Sequence, residues 1–172
     1  MACVKICITG PESSGKSTLA EALSQQFSVP LVDEKARQYL LSLGRKHKLA
    51  DLTEIASLQF KAEVEAKKKS KCIICDTDLL TIKIWAEDKY KASVGLVEEN
   101  LKEQLADFYV VCYPDLTWQQ DPLREDEHRR LEIFNKYVEV LNELNANYAI
   151  IKGIGAGRGE RAIAQVDAFL NR

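Results

Sequence analysis

Residues 10–17 carry the pattern Gly-x-x-x-x-Gly-Lys-Ser between an apolar run and a helical pattern. In this pattern the glycines allow a tight backbone curl whose N–H groups surround a β-phosphate. Lys16 is placed to reach the β- and γ-phosphates, and Ser17 offers a hydroxyl group to Mg²⁺. The helix that follows adds the positive end of its dipole. The sequence therefore predicts a site for ATP and Mg²⁺ built by Gly10, Pro11, Glu12, Ser13, Ser14, Gly15, Lys16, Ser17 and Thr18.

Carboxylates follow two further apolar segments that are typical of buried strands. Asp33 and Glu34 end the segment "PLVDE", and Asp76 and Asp78 follow "KCIIC". Parallel strands bind ligands at their carboxyl edge, although any one of these acids could instead cap a helix or lie on the surface. We expect Asp76 to hold Mg²⁺ through water and Asp78 to face the acceptor in the same cleft. Glu34 is the first candidate to accept a hydroxyl proton during phosphoryl transfer, and Asp33 is the second.

Arginines occur in the polar lid segment (residues 114–130), which follows the fourth apolar strand. A guanidinium group that closes over a transferring phosphate would offset its developing charge. Arg124 is the favoured candidate, and the alternative is that Arg124, Arg129 and Arg130 pair with the acidic residues 125–127. Arg158, in the last glycine-rich loop, is expected either to stack on adenine or to lie on the surface.

Strand-like and helical patterns alternate along the whole chain. The apolar segments are "CVKICIT", "PLVDE", "KCIICD", "DFYVVCY" and "YAIIKG", and amphipathic helical patterns separate them. This alternation predicts an α/β fold of three layers, in which right-handed crossovers build a five-stranded parallel sheet covered on both faces. Since no linker or compositional break appears, we expect residues 1–172 to form one domain.

The composition narrows the class of function. The chain has 172 residues, 46% of them hydrophobic and 29% charged, with a net charge of −2. This charge argues against broad binding to nucleic acid or to an anionic membrane, and no apolar run reaches the roughly 20 residues of a membrane helix. A cytoplasmic protein with a small-molecule substrate is expected. The Asn-Lys-x-Asp and Asp-x-x-Gly motifs of GTPases are missing from the corresponding strand ends, which favours a small phosphoryl-transfer enzyme.

Several segments, in order, resemble the nicotinamide riboside kinase domain of NadR-type proteins: "ITGPESSGKSTLAEAL", the Glu-x-Ala-Arg that ends at Arg37, "ICDTDLLTIKIW" and "PDLTWQQDPLR". They cover nearly the whole chain, and "CDTDLLT" and "DPLR" are more specific than the phosphate-binding loop. The resemblance implies a P-loop kinase fold with strand order 2-3-1-4-5. It also implies transfer of the ATP γ-phosphate to the 5′-hydroxyl of nicotinamide riboside. Arg37 would then orient the acceptor, and Trp85 and Trp118 would either form an aromatic wall or pack in the core.

The resemblance leaves the base of the acceptor open. Asp33 stands where the family is expected to place an aromatic residue that stacks on the nicotinamide ring. Because the chain has no His-x-Gly-His sequence, adenylyl transfer is not expected from it. The alternatives are a kinase for another nucleoside or small metabolite, and an ATP-binding regulatory module with slow hydrolysis.

Overall fold

A computed structural model describes residues 3–171 of the chain. Within these residues, five strands are separated by one or two α-helices each, seven α-helices in all, with one short 3₁₀ turn at Glu127–Arg129 before the sixth helix. The strands are β1 (Val4–Thr9), β2 (Leu31–Val32), β3 (Cys72–Asp76), β4 (Phe108–Cys112) and β5 (Tyr148–Ile151). The helices are α1 (Lys16–Phe27), α2 (Lys35–Ser42), α3 (Leu49–Lys69), α4 (Leu79–Tyr90), α5 (Gly95–Gln104), α6 (Arg130–Glu143) and α7 (Ala156–Leu170).

The strands form one parallel sheet in the order β2-β3-β1-β4-β5. β1 lies at its centre, and Ile6, Cys7 and Ile8 are fully buried there. A central parallel strand is covered on both faces, which explains why its sequence is a nearly continuous apolar run rather than an alternating one. The predicted fold class and strand order are confirmed.

Helices cover both faces of the sheet. On one face, α1 and α7 bury Leu23 and Val166 against side chains of the central strands. On the other face, α3, α4, α5 and α6 bury a larger apolar cluster that includes Leu52 and Tyr137. The sequence analysis did not identify α5 as a helix, and in this helix Val97 and Leu101 are buried.

The connections after β1, β2 and β3 all leave the carboxyl edge of the sheet. The phosphate-binding loop follows β1, Glu34 follows β2, and Asp76 is the last residue of β3. The topology therefore brings these distant sequence positions to one edge, as expected for an open parallel sheet. None of the helices within residues 3–171 combines the length and the apolar character needed to span a membrane.

Candidate active site

The phosphate-binding loop adopts a conformation that only glycine accommodates at two positions. Gly10 has φ +133°, and a Cβ atom there would lie 2.7 Å from the Cys112 carbonyl oxygen. Gly15 has φ +78°, and its Cβ would lie 2.8 Å from a methyl group of Leu116. Positive φ values of this kind are costly for residues with a side chain. The loop thus forms the backbone nest expected before the N-terminus of α1.

Side chains of the loop hold it together and join it to the lid segment. The Lys16 ammonium group donates to the Pro11 carbonyl over 2.9 Å, so it lies across the loop where phosphates would bind. The Glu12 carboxylate accepts hydrogen bonds of 2.9 and 3.1 Å from the backbone amides of residues 125 and 126. The Ser13 hydroxyl accepts another, of 3.0 Å, from the amide of Gln119. The phosphate site and the lid segment are therefore in direct contact.

One cavity of about 830 Å³ opens beside this loop. This volume is large enough for a nucleotide and a second small molecule together. All nine residues predicted to bind ATP through the loop line the cavity. Other lining residues come from the turn after β2, from α2, α4 and α6, and from the lid segment, and they include Glu34, Arg37, Trp85, Arg124 and Tyr137.

Glu34 lies in the wall of the cavity within the electrostatic field of Lys16. Burial raises the pKa of its carboxyl group above the ordinary value, and the Lys16 ammonium group partly opposes this shift. The negative charge of Asp76 raises the pKa further. A carboxylate with a raised pKa is a better proton acceptor near neutral pH than an ordinary glutamate.

Asp76 lies behind the loop and is only 5% exposed. Burial raises the pKa of its carboxyl group, whereas the nearby Ser17 hydroxyl and Lys16 ammonium groups lower it. Its Oδ1 atom is buried without a hydrogen-bond partner in the described structure. Such an atom is expected to have a partner, and a carboxylate beside a hydroxyl is the oxygen donor set that Mg²⁺ prefers. The residues present therefore fit a magnesium ion.

Of the four strand-end acids, Glu34 alone lines the cavity, and Asp33, Asp76 and Asp78 lie outside its lining. Asp33 is exposed and lies outside the cavity lining, although its charge raises the pKa of Asp76. Asp78 is 1% exposed, caps α4 through the amide of Leu80 and pairs with the Lys5 ammonium group over 2.9 Å. The prediction that Asp78 faces the acceptor is wrong, because its buried carboxylate pairs with the Lys5 ammonium group instead.

Two predicted arginines of the site lie at the cavity. Arg124 lines it and donates to the carbonyl of Gln119 over 2.7 Å. Arg37 lines it too, and its guanidinium group pairs with the Asp121 carboxylate over 2.6 Å. This ion pair joins α2 to the lid segment across the cavity, and it keeps the pKa of Asp121 below the usual range.

Arg158 has a structural position that the sequence analysis did not predict. Its guanidinium group is 6% exposed and donates to the backbone carbonyls of Ser14, Tyr113 and Gly153. It also pairs with Asp115 over 2.6 Å. Both alternatives predicted for Arg158, stacking on adenine and a surface position, are wrong, since Arg158 is buried outside the cavity lining and its contacts tie the loop to the chain just after β4 and β5.

The two tryptophans differ in position. Trp85 lines the cavity and stacks on the His47 ring, with a centroid distance of 6.4 Å. Trp118 does not line the cavity, and the Arg130 guanidinium group lies 5.7 Å from its ring centroid. Only Trp85 is therefore placed to contact an acceptor directly. His47 was missed because its sequence neighbourhood carries no motif.

Hydroxyl groups form a further part of the cavity wall that sequence reasoning missed. The Tyr137 hydroxyl donates to Thr81 over 3.3 Å, and the Thr81 and Thr9 hydroxyl oxygens lie 3.3 Å apart. Tyr137 and Thr81 line the cavity on the core side. In the sequence, Tyr137 is indistinguishable from a core residue of α6, so only its position after folding reveals this contact.

The three-layer fold and the phosphate-binding loop together define a P-loop nucleotide-binding protein. The chain belongs to the AAA domain family, whose sequence profile matches residues 5–158.

Curated relatives support the resemblance to NadR. The chain is 28% identical over 155 residues to the trifunctional NAD biosynthesis/regulator protein NadR of Escherichia coli (strain K12). It is 25% identical over 155 residues to the protein of the same name from Salmonella typhimurium (strain LT2). Each match covers 86% of this chain but 38% of the relative, so the chain spans about two fifths of the length of the proteins it matches.

Solved structures confirm the fold. A crystal structure of NadR protein in complex with NR matches with a TM-score of 0.84 and 21% identity, over 99% of this chain and 52% of that one. The thymidylate kinase of Ehrlichia chaffeensis matches with a TM-score of 0.70 and 14% identity, over 99% of this chain and 100% of that one. The fold is thus shared with NadR and with P-loop kinases, and the predicted similarity to NadR is confirmed.

Proposed function

We propose that this protein is an ATP-dependent kinase that transfers the γ-phosphate to the 5′-hydroxyl of a riboside, with nicotinamide riboside as the leading acceptor. One observation carries the proposal: the lining of a single cavity contains the phosphate-binding loop with Lys16 and also Glu34 and Trp85. A hydrolase that binds only ATP has no need for room and side chains that would receive a second small molecule.

The proposed reaction is a direct displacement. The 5′-oxygen of the acceptor forms a bond to the γ-phosphorus while the bond from that phosphorus to the β,γ-bridging oxygen breaks, and ADP leaves. Glu34 accepts the proton that the hydroxyl group loses. Lys16 and the loop amides stabilise the charge on the phosphates, and Arg124 contributes from the lid segment. Asp76 and Ser17 would hold the Mg²⁺ ion, which supplies positive charge to the phosphate oxygens.

The pairing of two arginines in the cavity wall with carboxylates favours an acceptor without a phosphate group. Arg37 is neutralised by Asp121, and Arg45 forms a two-bonded contact with Asp51. A phosphate on the acceptor would have to compete with these carboxylates for each guanidinium group. This observation favours a nucleoside over a nucleoside monophosphate, which thymidylate kinases phosphorylate.

The relatives support nicotinamide riboside as the acceptor. NadR is named for NAD biosynthesis, and the NadR structure with the TM-score of 0.84 is described in complex with NR. Trp85 offers the cavity an aromatic ring next to His47, which would suit a planar base. We further propose that residues 1–172 act as one kinase domain, because both apolar clusters pack on the same sheet.

The test is ATP consumption with a panel of nucleosides and nucleoside monophosphates, with nicotinamide riboside included and each product identified by mass. The expected result is rapid turnover that depends on the riboside and yields nicotinamide mononucleotide. Turnover with a different nucleoside would favour the alternative of another nucleoside kinase. Slow hydrolysis that is unaffected by every acceptor would contradict the kinase proposal and favour a regulatory ATPase module.

A further inference from the structure

A buried polar network lies next to the carboxyl edge of the sheet, between α3 and the two strand ends that carry the acids. At its centre is Gln59 of α3, which is 2% exposed. Its Nε2 group donates to the Thr77 carbonyl over 3.3 Å and to the Glu63 carboxylate over 3.1 Å. Its Oε1 atom accepts from the amide of Lys35 over 3.1 Å.

These contacts use both N–H groups of the amide and one lone pair of its oxygen, and they admit only one orientation of it. The Lys35 amide can only donate and the Thr77 carbonyl can only accept, so the reversed amide would face two mismatched partners. Lys35 is the first residue of α2 and follows Glu34, whereas Thr77 follows Asp76. One side chain thus holds the backbone directly beside both acids of the site.

Thr77 needs such support because its backbone is strained. It has φ +66°, which is rare for a β-branched residue and costs about 1–3 kcal/mol. Its amide donates to the Ile8 carbonyl over 3.0 Å, and its carbonyl accepts from Gln59. Strain of this kind persists only where the surroundings determine the conformation, and here it turns the chain between Asp76, the last residue of β3, and Asp78, the N-cap of α4.

The network is anchored on a buried ammonium group. Lys5 donates to Glu63 over 2.6 Å, to Asp78 over 2.9 Å and to the carbonyl of Gln104 over 2.7 Å. These contacts use all three protons of the ammonium group. Glu63 is therefore held by Lys5 on one oxygen and fixes Gln59 through the other. Buried ion pairs are weak sources of stability, so a positioning role is the better account of this group.

We propose that Gln59 is a positioning residue that fixes the Asp76 loop relative to Glu34. The proposal rests on the proposed function for its consequence in catalysis, because Glu34 is the proton acceptor and Asp76 the metal-holding acid there. The structural part of the proposal does not depend on that function. It states that the backbone at residues 33–36 and at residues 76–79 becomes more mobile when the Gln59 amide is removed.

The variant Gln59→Met tests this, because it keeps the length of the side chain and removes its hydrogen bonds. The control is Ile55→Val, one turn earlier on the same face of α3, whose apolar side chain is buried in the core and can form no hydrogen bond. It is expected to lower the thermal midpoint by about 2–4 °C through lost packing alone. Amide hydrogen exchange in the substrate-free protein reports on both segments.

We expect exchange in residues 33–36 and 76–79 to rise about tenfold or more in Gln59→Met and to stay within about twofold of wild type in Ile55→Val. The kcat of Gln59→Met is expected to fall about 10- to 100-fold while the KM for ATP changes less than about threefold, because the acids are displaced and the loop around Lys16 is not. Unchanged exchange in both segments, or an equal rise in the control, would overturn the proposal.

The variant Gln59→Glu distinguishes the contact of Gln59 with the Lys35 amide from its contact with the Thr77 carbonyl. If Gln59→Met does not fold, this variant alone tests the proposal. Its carboxyl group can still accept from the Lys35 amide, but the two N–H donors to the Thr77 carbonyl and the Glu63 carboxylate are replaced by an oxygen that carries at most one proton. Exchange is therefore expected to rise at residues 76–79 and not at 33–36, and the opposite pattern would overturn the assignment. If the wild-type protein shows no turnover with any acceptor, the proposed function fails, and the exchange data still decide the role of Gln59.

Discussion

Replacement of Glu34 by glutamine tests the assignment of the proton acceptor. The substitution keeps the shape of the side chain and removes its charge. Glu34 lies in the cavity wall, where burial raises the pKa of its carboxyl group and the ammonium group of Lys16 limits the rise. Since the amides and the lysine of the phosphate-binding loop are untouched, the affinity for ATP should change little.

The expected loss of turnover follows from the role of a general base. Such groups contribute about 10²–10⁴-fold to the rate, which corresponds to roughly 3–5 kcal/mol in the activation free energy. The thermal stability of Glu34→Gln should rise at neutral pH, although its turnover falls. A carboxyl group with a raised pKa contributes stability below its unfolded pKa, and this contribution is lost as the pH rises through the folded pKa. Glutamine stays uncharged at neutral pH, so the variant does not lose this stability as the pH rises. Its melting temperature at neutral pH should therefore be higher than that of the wild-type protein.

The assay is riboside-dependent ATP consumption between pH 4 and 9, combined with thermal melting over the same range. In the wild-type protein, kcat/KM should rise with pH along an acid limb whose midpoint lies above the ordinary glutamate pKa of about 4.3. In Glu34→Gln this limb should be absent. The matched control is Asp33→Asn, the neighbouring exposed acid outside the cavity lining, for which kcat should change less than about threefold.

Three results would refute this reasoning. Turnover in Glu34→Gln above about one third of wild type would show that Glu34 is not the proton acceptor. A large loss in Asp33→Asn instead would transfer the role to that residue. A lower melting temperature in Glu34→Gln at neutral pH would contradict the inference that burial disfavours its charged form.

Other substitutions test the phosphate-binding loop and the buried charge network. Gly10→Ala should abolish the thermal shift caused by ATP and lower the unfolding free energy by about 1–3 kcal/mol, because its Cβ would press against the Cys112 carbonyl at positive φ. The control Gly95→Ala, at a helical position with open space around it, should be neutral or stabilising, and equal damage there would contradict the argument. Lys16→Ala should fold normally but bind ATP at least about tenfold more weakly in calorimetry, and unchanged affinity would place the triphosphate elsewhere. Lys5→Met should cost about 3–5 kcal/mol in urea unfolding, since it leaves two carboxylates buried without a cation, and a loss below about 1 kcal/mol would show that they relax.

The phosphate-binding loop could be predicted from the sequence because its requirements are local. The positive φ values at Gly10 and Gly15 and the first turn of α1 depend on residues that are adjacent in the chain. The same is true of the strands, whose apolar runs identify central positions of a parallel sheet. The carboxyl-edge placement of Glu34 and Asp76 then follows from topology, since all parallel strands end on one side.

Side-chain partners, in contrast, were decided by tertiary structure. Asp78 and Arg158 occupy sequence positions where ligand contacts are expected, but folding pairs them with Lys5 and Asp115, far away along the chain. Gln59 carries no sequence signal, because a glutamine on an amphipathic helix is ordinary until two strand ends meet it.

The physical reason for this difference is how far apart in the sequence the interacting residues lie. Backbone conformation and burial periodicity depend mainly on neighbouring residues, so the sequence of this chain by itself determined where the glycine-rich loop lies and which strands form the sheet. The partner of a buried charge or amide depends on every group that the fold brings within about 3 Å of it. Only the tertiary structure could therefore decide which acids face the cavity and which stabilise its walls.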